Sequence, residues 1–136
     1  MKRVLIITRT RDLAVPLAKA LEECFAIQFC TDDVTDVLPT MEIVKPNIII
    51  AQINNDSMIE SSLFSTLNLK YPQIPIFTIA SEENKKKYLR YYSLEQFENY
   101  PDDMDEISIR EDLKKRYNIT SPVLGEGDSK ILTSGS

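Results

Sequence analysis

Pro46-Asn47-Ile48-Ile49-Ile50-Ala51-Gln52-Ile53-Asn54-Asn55-Asp56 organises the rest of this chain. So apolar a run of β-branched residues reads as a strand buried on both faces, as in a parallel sheet. It stops at a polar cluster that must turn the chain. In open α/β sheets, ligands and chemistry gather in the crevice beyond the carboxyl ends of the strands. Gln52 and its neighbours therefore stand where a function is expected.

Just before this strand, Val34, Val37, Leu38, Met41 and Val44 recur at helical spacing, with Pro39 predicting a short or kinked helix over 34–44. Just after it, Ser57 and Glu60 have the spacing of a capping box. They predict a helix that turns Ile59, Leu63 and Leu67 inward and ends at Tyr71-Pro72. Toward the amino terminus, Arg3 to Thr8 and Ala26 to Thr31 read as strands. A helix from Asp12 to Phe25 lies between them, with Leu13, Leu17, Ala20, Leu21 and Cys24 on one stripe. Pro16 requires this helix to begin close to Asp12. Toward the carboxyl terminus, Ile74 to Ala80 is a fourth strand, and Ser81-Glu82-Glu83 caps a fourth helix. Gln96 to Tyr100 is a weak fifth strand ended by Pro101. The last helix, 102–117, opens on Asp102, Asp103, Asp105 and Glu106 and closes on Lys114, Lys115 and Arg116, matching its dipole at both ends. Strand and helix thus alternate five times. Short connections and right-handed crossovers make this an α/β fold, a doubly wound parallel sheet with helices on both faces. The expected organisation is one domain over 1–117, followed by a tail or linker over 118–136 that leads toward a possible downstream output domain.

Composition narrows the chemistry. A chain of 136 residues with 43% hydrophobic content can bury a proper core, and its net charge of -5 argues against nucleic acid as the main partner. No apolar run reaches the roughly 20 residues that span a bilayer. Met1-Lys2-Arg3 leads directly into a strand, so a cytoplasmic location is expected. The absence of histidine removes His-based zinc sites and Ser-His or Cys-His pairs. Cys24 and Cys30 lie within apolar patterns and read as small buried hydrophobes. All three glycines, Gly125, Gly127 and Gly135, fall in the tail, so the first 124 residues hold no Gly-rich phosphate loop. Gly125 to Lys130 lacks the spacing of such a loop and reads as linker.

KRVLIIT at the start, KPNIIIAQINND in the middle, YPQIPIFTIAS in the fourth unit and the proline after the fifth strand, in this order and spacing, resemble the receiver domains of bacterial response regulators. The resemblance covers residues 2–117 and implies strand order 2-1-3-4-5. In that family a phosphoryl group passes to an aspartate closing strand three, assisted by Mg²⁺. The two metal-binding acids match Thr8 and Arg9, and the phosphorylated aspartate matches Gln52. The hydroxyl residue ending strand four matches Ala80, and the lysine before the proline matches Tyr100. A neutral amide is no carboxylate nucleophile, and an arginine opposes a hard cation. The resemblance therefore implies a degenerate phosphorylation pocket at Thr8, Arg9, Gln52, Ala80 and Tyr100. The chain reads as a pseudo-receiver with no enzymatic activity, no cofactor and no metal.

Other features have both a plain and a sharper reading. Arg9 pairs locally with an acid, Asp12 or Asp56, or else Thr8, Arg9 and Arg11 receive a small anion at the Thr8/Arg9/Gln52 crevice. Lys85-Lys86-Lys87 and Arg90, interleaved with Tyr88, Tyr91 and Tyr92, form a solvated face; nucleic-acid binding is disfavoured. Receiver-like domains also pair through the face of the fourth helix, last strand and last helix. Here that face would comprise Lys87, Arg90, Tyr91, Phe97, Glu98, Arg110 and Lys114, giving a homodimer or a protein partner. Phe97 matches the aromatic switch position of receivers and equally reads as a core ring. The expected role is a phosphorylation-independent signalling module in the amino-terminal part of a bacterial regulator of transcription.

Overall fold

A computed structural model describes residues 1–55, 57, 59 and 61–120. Five strands, β1 (Arg3–Ile7), β2 (Ala26–Cys30), β3 (Ile48–Gln52), β4 (Ile76–Ala80) and β5 (Phe97–Pro101), form one sheet in the order β2-β1-β3-β4-β5. Every neighbouring pair is parallel. The helices are α1 (Arg11–Leu21), α2 (Val34–Val44), α3 (Ser61–Lys70), α4 (Glu82–Lys85) and α5 (Glu106–Arg116), with a 3₁₀ segment, Lys86–Tyr91, continuing α4. This is the expected doubly wound topology.

The sheet divides the core in two. Leu5, Ile7, Ile49 and Ala51 pack with residues of α2, α3 and the 3₁₀ segment, whereas Val4, Ile6, Ile48 and Ile50 pack with α1 and α5. Ile48, Ile49 and Ile50 are completely buried, so β3 is covered on both faces as its sequence requires. Each such side chain contributes about 1.5–3 kcal/mol. Ile59, Leu63 and Leu67 are buried as expected, as are Leu17, Ala20, Leu21 and Cys24. Leu13 is an exception. It is 49% exposed, because α1 begins at Arg11 and turns its first residues toward the crevice.

Several boundaries differ from those predicted. The helix expected from Ser57 begins at Ser61. Ser57 caps the turn after β3 instead, accepting from the Asn54 backbone N–H at 2.8 Å, and Glu60 lies outside the described residues. Pro16 and Pro39 each sit in the second turn of an eleven-residue helix, deeper than proline normally lies. Each leaves one carbonyl without its helical donor, yet neither helix breaks. α2 ends on Lys45 in the left-handed region (φ 50°), and the Arg3 guanidinium donates to the Lys45 and Val44 carbonyls. Asp102 and Asp103 precede α5, whose cap is Asp105. Packing continues through Ile119, which bonds back to the Lys114 carbonyl at 2.9 Å, two residues beyond the expected boundary. The rest of the tail, 121–136, lies outside the described residues.

Two caps make the fold sensitive to acid. Asp33 accepts from the Thr35 backbone N–H and hydroxyl, and Asp105 from the Ser108 N–H, each at 2.8 Å. These bonds, the backbone ones foremost, hold both carboxyls below their ordinary range. A depressed carboxyl stabilises the fold above its unfolded pKa and loses that effect as pH falls through the folded one. Urea resistance should therefore drop as pH falls from about 5 to about 3. The Asp33→Asn/Asp105→Asn variant should drop less over the same range. Parallel curves for the two proteins would remove the caps from the account.

Candidate functional site

Parallel register brings the carboxyl ends of the strands to one edge. Ile7 lies beside Ala51, Gln52 beside Ile79, and Ala80 beside Pro101. Thr8, immediately after β1, is buried, and its hydroxyl lies 2.8 Å from Gln52 Oε1 and 3.0 Å from the Thr10 carbonyl oxygen. Gln52 Nε2 donates to the Leu13 carbonyl at 3.2 Å. The carbonyl can only accept, so Nε2 must face it, and Oε1 is left for the Thr8 hydroxyl. Gln52 thus ties the end of β3 to the end of β1 and the first turn of α1. Both ends of its amide are thus hydrogen-bonded within the chain.

The remaining predicted positions separate. Arg9 pairs with Asp32 at 3.6 Å, not with Asp12, and Asp56 lies outside the described residues. Asp32 is buried, whereas the Arg9 side chain is 42% exposed, so screening keeps this pair weak. Sequence spacing gave no sign of this partner. It follows from the pairing of Ile7 with Cys30, which places the residues after β2 beside those after β1. Burial foremost, with the Asp36 and Asp32 carboxylates, pushes the neighbouring Cys30 thiol up to about 12, so it stays protonated and inert. Ala80 is fully buried, and its carbonyl accepts from Asn99 Nδ2 at 3.2 Å. Tyr100 leaves the crevice altogether. Its ring stacks on Phe77 at 5.3 Å in the α1/α5 half of the core, and its hydroxyl donates to Asp112 at 2.5 Å. Burial and then this bond raise the Tyr100 pKa. Asp112 moves down, because bonds from Tyr100 and Arg116 outweigh the effect of its own burial.

What lies open at the strand ends is a cleft of about 460 Å³, lined by Leu13, Gln52, Ile53, Asn54, Asn55, Ile79, Ser81, Glu83, Asn84 and Asp102. Asn84 Nδ2 donates to Asn55 Oδ1 at 3.2 Å, joining the turn after β3 to α4. Of Thr8, Arg9 and Gln52, where an anion is expected, only Gln52 is among the described lining residues of this cleft, and no arginine or lysine is. Arg9 is turned to Asp32, and Arg11 stacks on the Phe29 ring at 4.7 Å. Among the described residues, no three Cys, Asp or Glu side chains gather as a metal site. No helix among them is long and apolar enough to cross a membrane.

The sequence matches no protein-family model and no curated protein. The structure is similar to the chemotaxis response regulator CheY4 of Vibrio cholerae, with a TM-score of 0.70, 14% identity, and coverage of 85% of this chain and 98% of that one. It is similar to NtrX from Brucella abortus, with a TM-score of 0.70, 14% identity and 85% of this chain covered. The chain spans only 26% of the NtrX chain's length. A signal receiver domain of an HD domain-containing protein from Pseudomonas fluorescens Pf-5 gives a TM-score of 0.67 at 12% identity, over 86% of this chain and 88% of that one. The fold is the receiver fold.

On this receiver fold the predicted interaction face is only partly a surface. Tyr91 and Phe97, expected there as aromatic anchors, are core residues, 5% and 3% exposed. With Tyr88 they surround the fully buried Phe64 at centroid distances of 5.1–5.7 Å. The reason is local. Beyond α4 the chain tightens into the 3₁₀ segment, which kinks at Tyr88 (φ -126°, ψ 21°), and Tyr88 and Tyr91 both enter the core. Lys87 and Arg90 are exposed, although Arg90 also donates to the Tyr91 hydroxyl at 2.7 Å. Glu98 is exposed but held by the Arg116 guanidinium at 2.6 and 2.7 Å. Arg110 and Lys114 are half-buried and pair with Glu111, and Arg110 also reaches Glu23. Leu89, 57% exposed, is an apolar element of this face that helical periodicity did not single out.

Proposed function

We propose that this chain is a pseudo-receiver, a signalling module that accepts no phosphoryl group and acts through protein contact, within a larger bacterial regulator or as a homodimer. The Gln52 side chain carries this reading. At the position matching the phosphorylated aspartate it offers no nucleophile, and its amide spans Thr8 and Leu13 where receivers hold a metal. Ala80 provides no hydroxyl to meet a phosphoryl group, and Tyr100 no cation. Phe97, at the aromatic switch position, is held inward by Phe64 and Tyr91 rather than by a signal. The fold thus rests in one arrangement, with Lys87, Leu89, Arg90 and Glu98 as the contact surface.

Incubation with acetyl phosphate and Mg²⁺ should leave the intact mass of the chain and its sedimentation coefficient unchanged. A stoichiometric phosphoryl adduct removed by hydroxylamine would sink the reading.

A further inference from the structure

We propose that the cleft at the carboxyl ends of β3, β4 and β5 binds a small aliphatic diamine, its ammonium groups drawn to Glu83 and Asp102 and its methylene stem lying along Leu13, Ile53 and Ile79. The inference rests on the reading that no metal or phosphoryl group competes for this crevice. The volume of about 460 Å³ falls in the range of small-ligand sites. Its lining selects the ligand by charge. Among the described residues that line it, Glu83 and Asp102 are the charged ones, and both are exposed. Three nearby cations are turned elsewhere, Arg9 to Asp32, Arg11 onto Phe29, and Lys85 onto the Tyr92 ring at 5.4 Å. An anion would therefore meet two carboxylates, with no lysine or arginine among the described lining residues.

A divalent metal is a poorer fit, since it requires a cage of about six oxygens, and no group of three acids forms among the described residues. A nucleobase or sugar ring would find no aromatic surface in the lining. An ammonium carries three donors and no acceptor, which suits carboxylates and amide carbonyls. The bond between Asn84 and Asn55 holds one wall in place before binding, and Leu13 stands half-exposed at the rim as an apolar contact. A bound diamine would link α4 to the turn before α5, joining the two elements that flank β5.

Calorimetric titration of the full chain with 1,4-diaminobutane tests this, with 1-butanol and inorganic phosphate as comparison ligands. Saturable binding is expected for the diamine alone. Glu83→Gln and Asp102→Asn should each weaken it roughly tenfold, while Glu22→Gln, an exposed charge on α1, should leave it unchanged. Circular dichroism should show all three variants folded. The proposal is overturned by absence of saturable diamine binding, by equal weakening in Glu22→Gln, or by phosphate binding at the same residues. None of these outcomes bears on the acetyl phosphate experiment, so the two readings fail separately.

Discussion

Phe64→Ala should cost about 3–5 kcal/mol, the range for truncating a buried phenylalanine. Phe64 is fully buried and meets Tyr88, Tyr91 and Phe97 edge-on, at interplanar angles of 68–74°. Such geometry sets the positive edge of one ring against the negative face of another and adds to area burial. The loss would also undermine the surface. Tyr91 is fixed by Phe64 on one side and by its hydroxyl bonds with Ser65, at 2.6 Å, and Arg90 on the other. Releasing the ring frees Arg90 and the 3₁₀ segment that carries Leu89. Against a typical total stability of about 5–15 kcal/mol, this would leave the domain marginal. Urea unfolding followed by circular dichroism measures it; a cost below roughly 1 kcal/mol would mean that the cavity collapses and the ring cluster does not anchor this face.

Gln52→Asp restores the one residue that names a phosphoacceptor, and it should still yield no phosphoprotein with acetyl phosphate and Mg²⁺. A nucleophile alone is insufficient, because Thr8 and Arg9 supply no metal ligands and Ala80 and Tyr100 do not complete the pocket. The same change should destabilise the fold by about 1–3 kcal/mol, since the shorter carboxylate cannot donate to the Leu13 carbonyl while bonding the Thr8 hydroxyl. It would also place a third carboxylate at a cleft already holding Glu83 and Asp102, which disfavours the ionised form that would have to attack. Intact mass spectrometry and urea titration of the variant read both effects. Efficient phosphorylation would show that the crevice retains more of the receiver chemistry than its side chains display.

Sequence by itself determined the topology and the identities of the side chains at the strand ends. β3 is legible because a run of isoleucines without a polar alternation can be satisfied only between two apolar layers. Five alternations of strand and helix, with right-handed crossovers, then leave few ways to order the sheet. Ser81 as a cap follows from local chemistry that needs no distant partner. The identities of Gln52 and Ala80 are equally local facts.

Tertiary structure alone decided which groups meet. Arg9 found Asp32 because β1 and β2 pair in register, a relation that separation along the chain conceals. Tyr91, expected on the surface, lies in the core with the kinked 3₁₀ segment after α4, whereas Phe97 takes the place its reading as a core ring gave it, at the start of β5 against Phe64. Asp102 left the last helix and Leu13 left its apolar stripe for the same cleft, since a helix that starts later or turns differently hands its first residues to the crevice. The charge of that cleft is likewise a tertiary property. It depends less on how many lysines and arginines the chain carries than on where packing, stacking and pairing direct them.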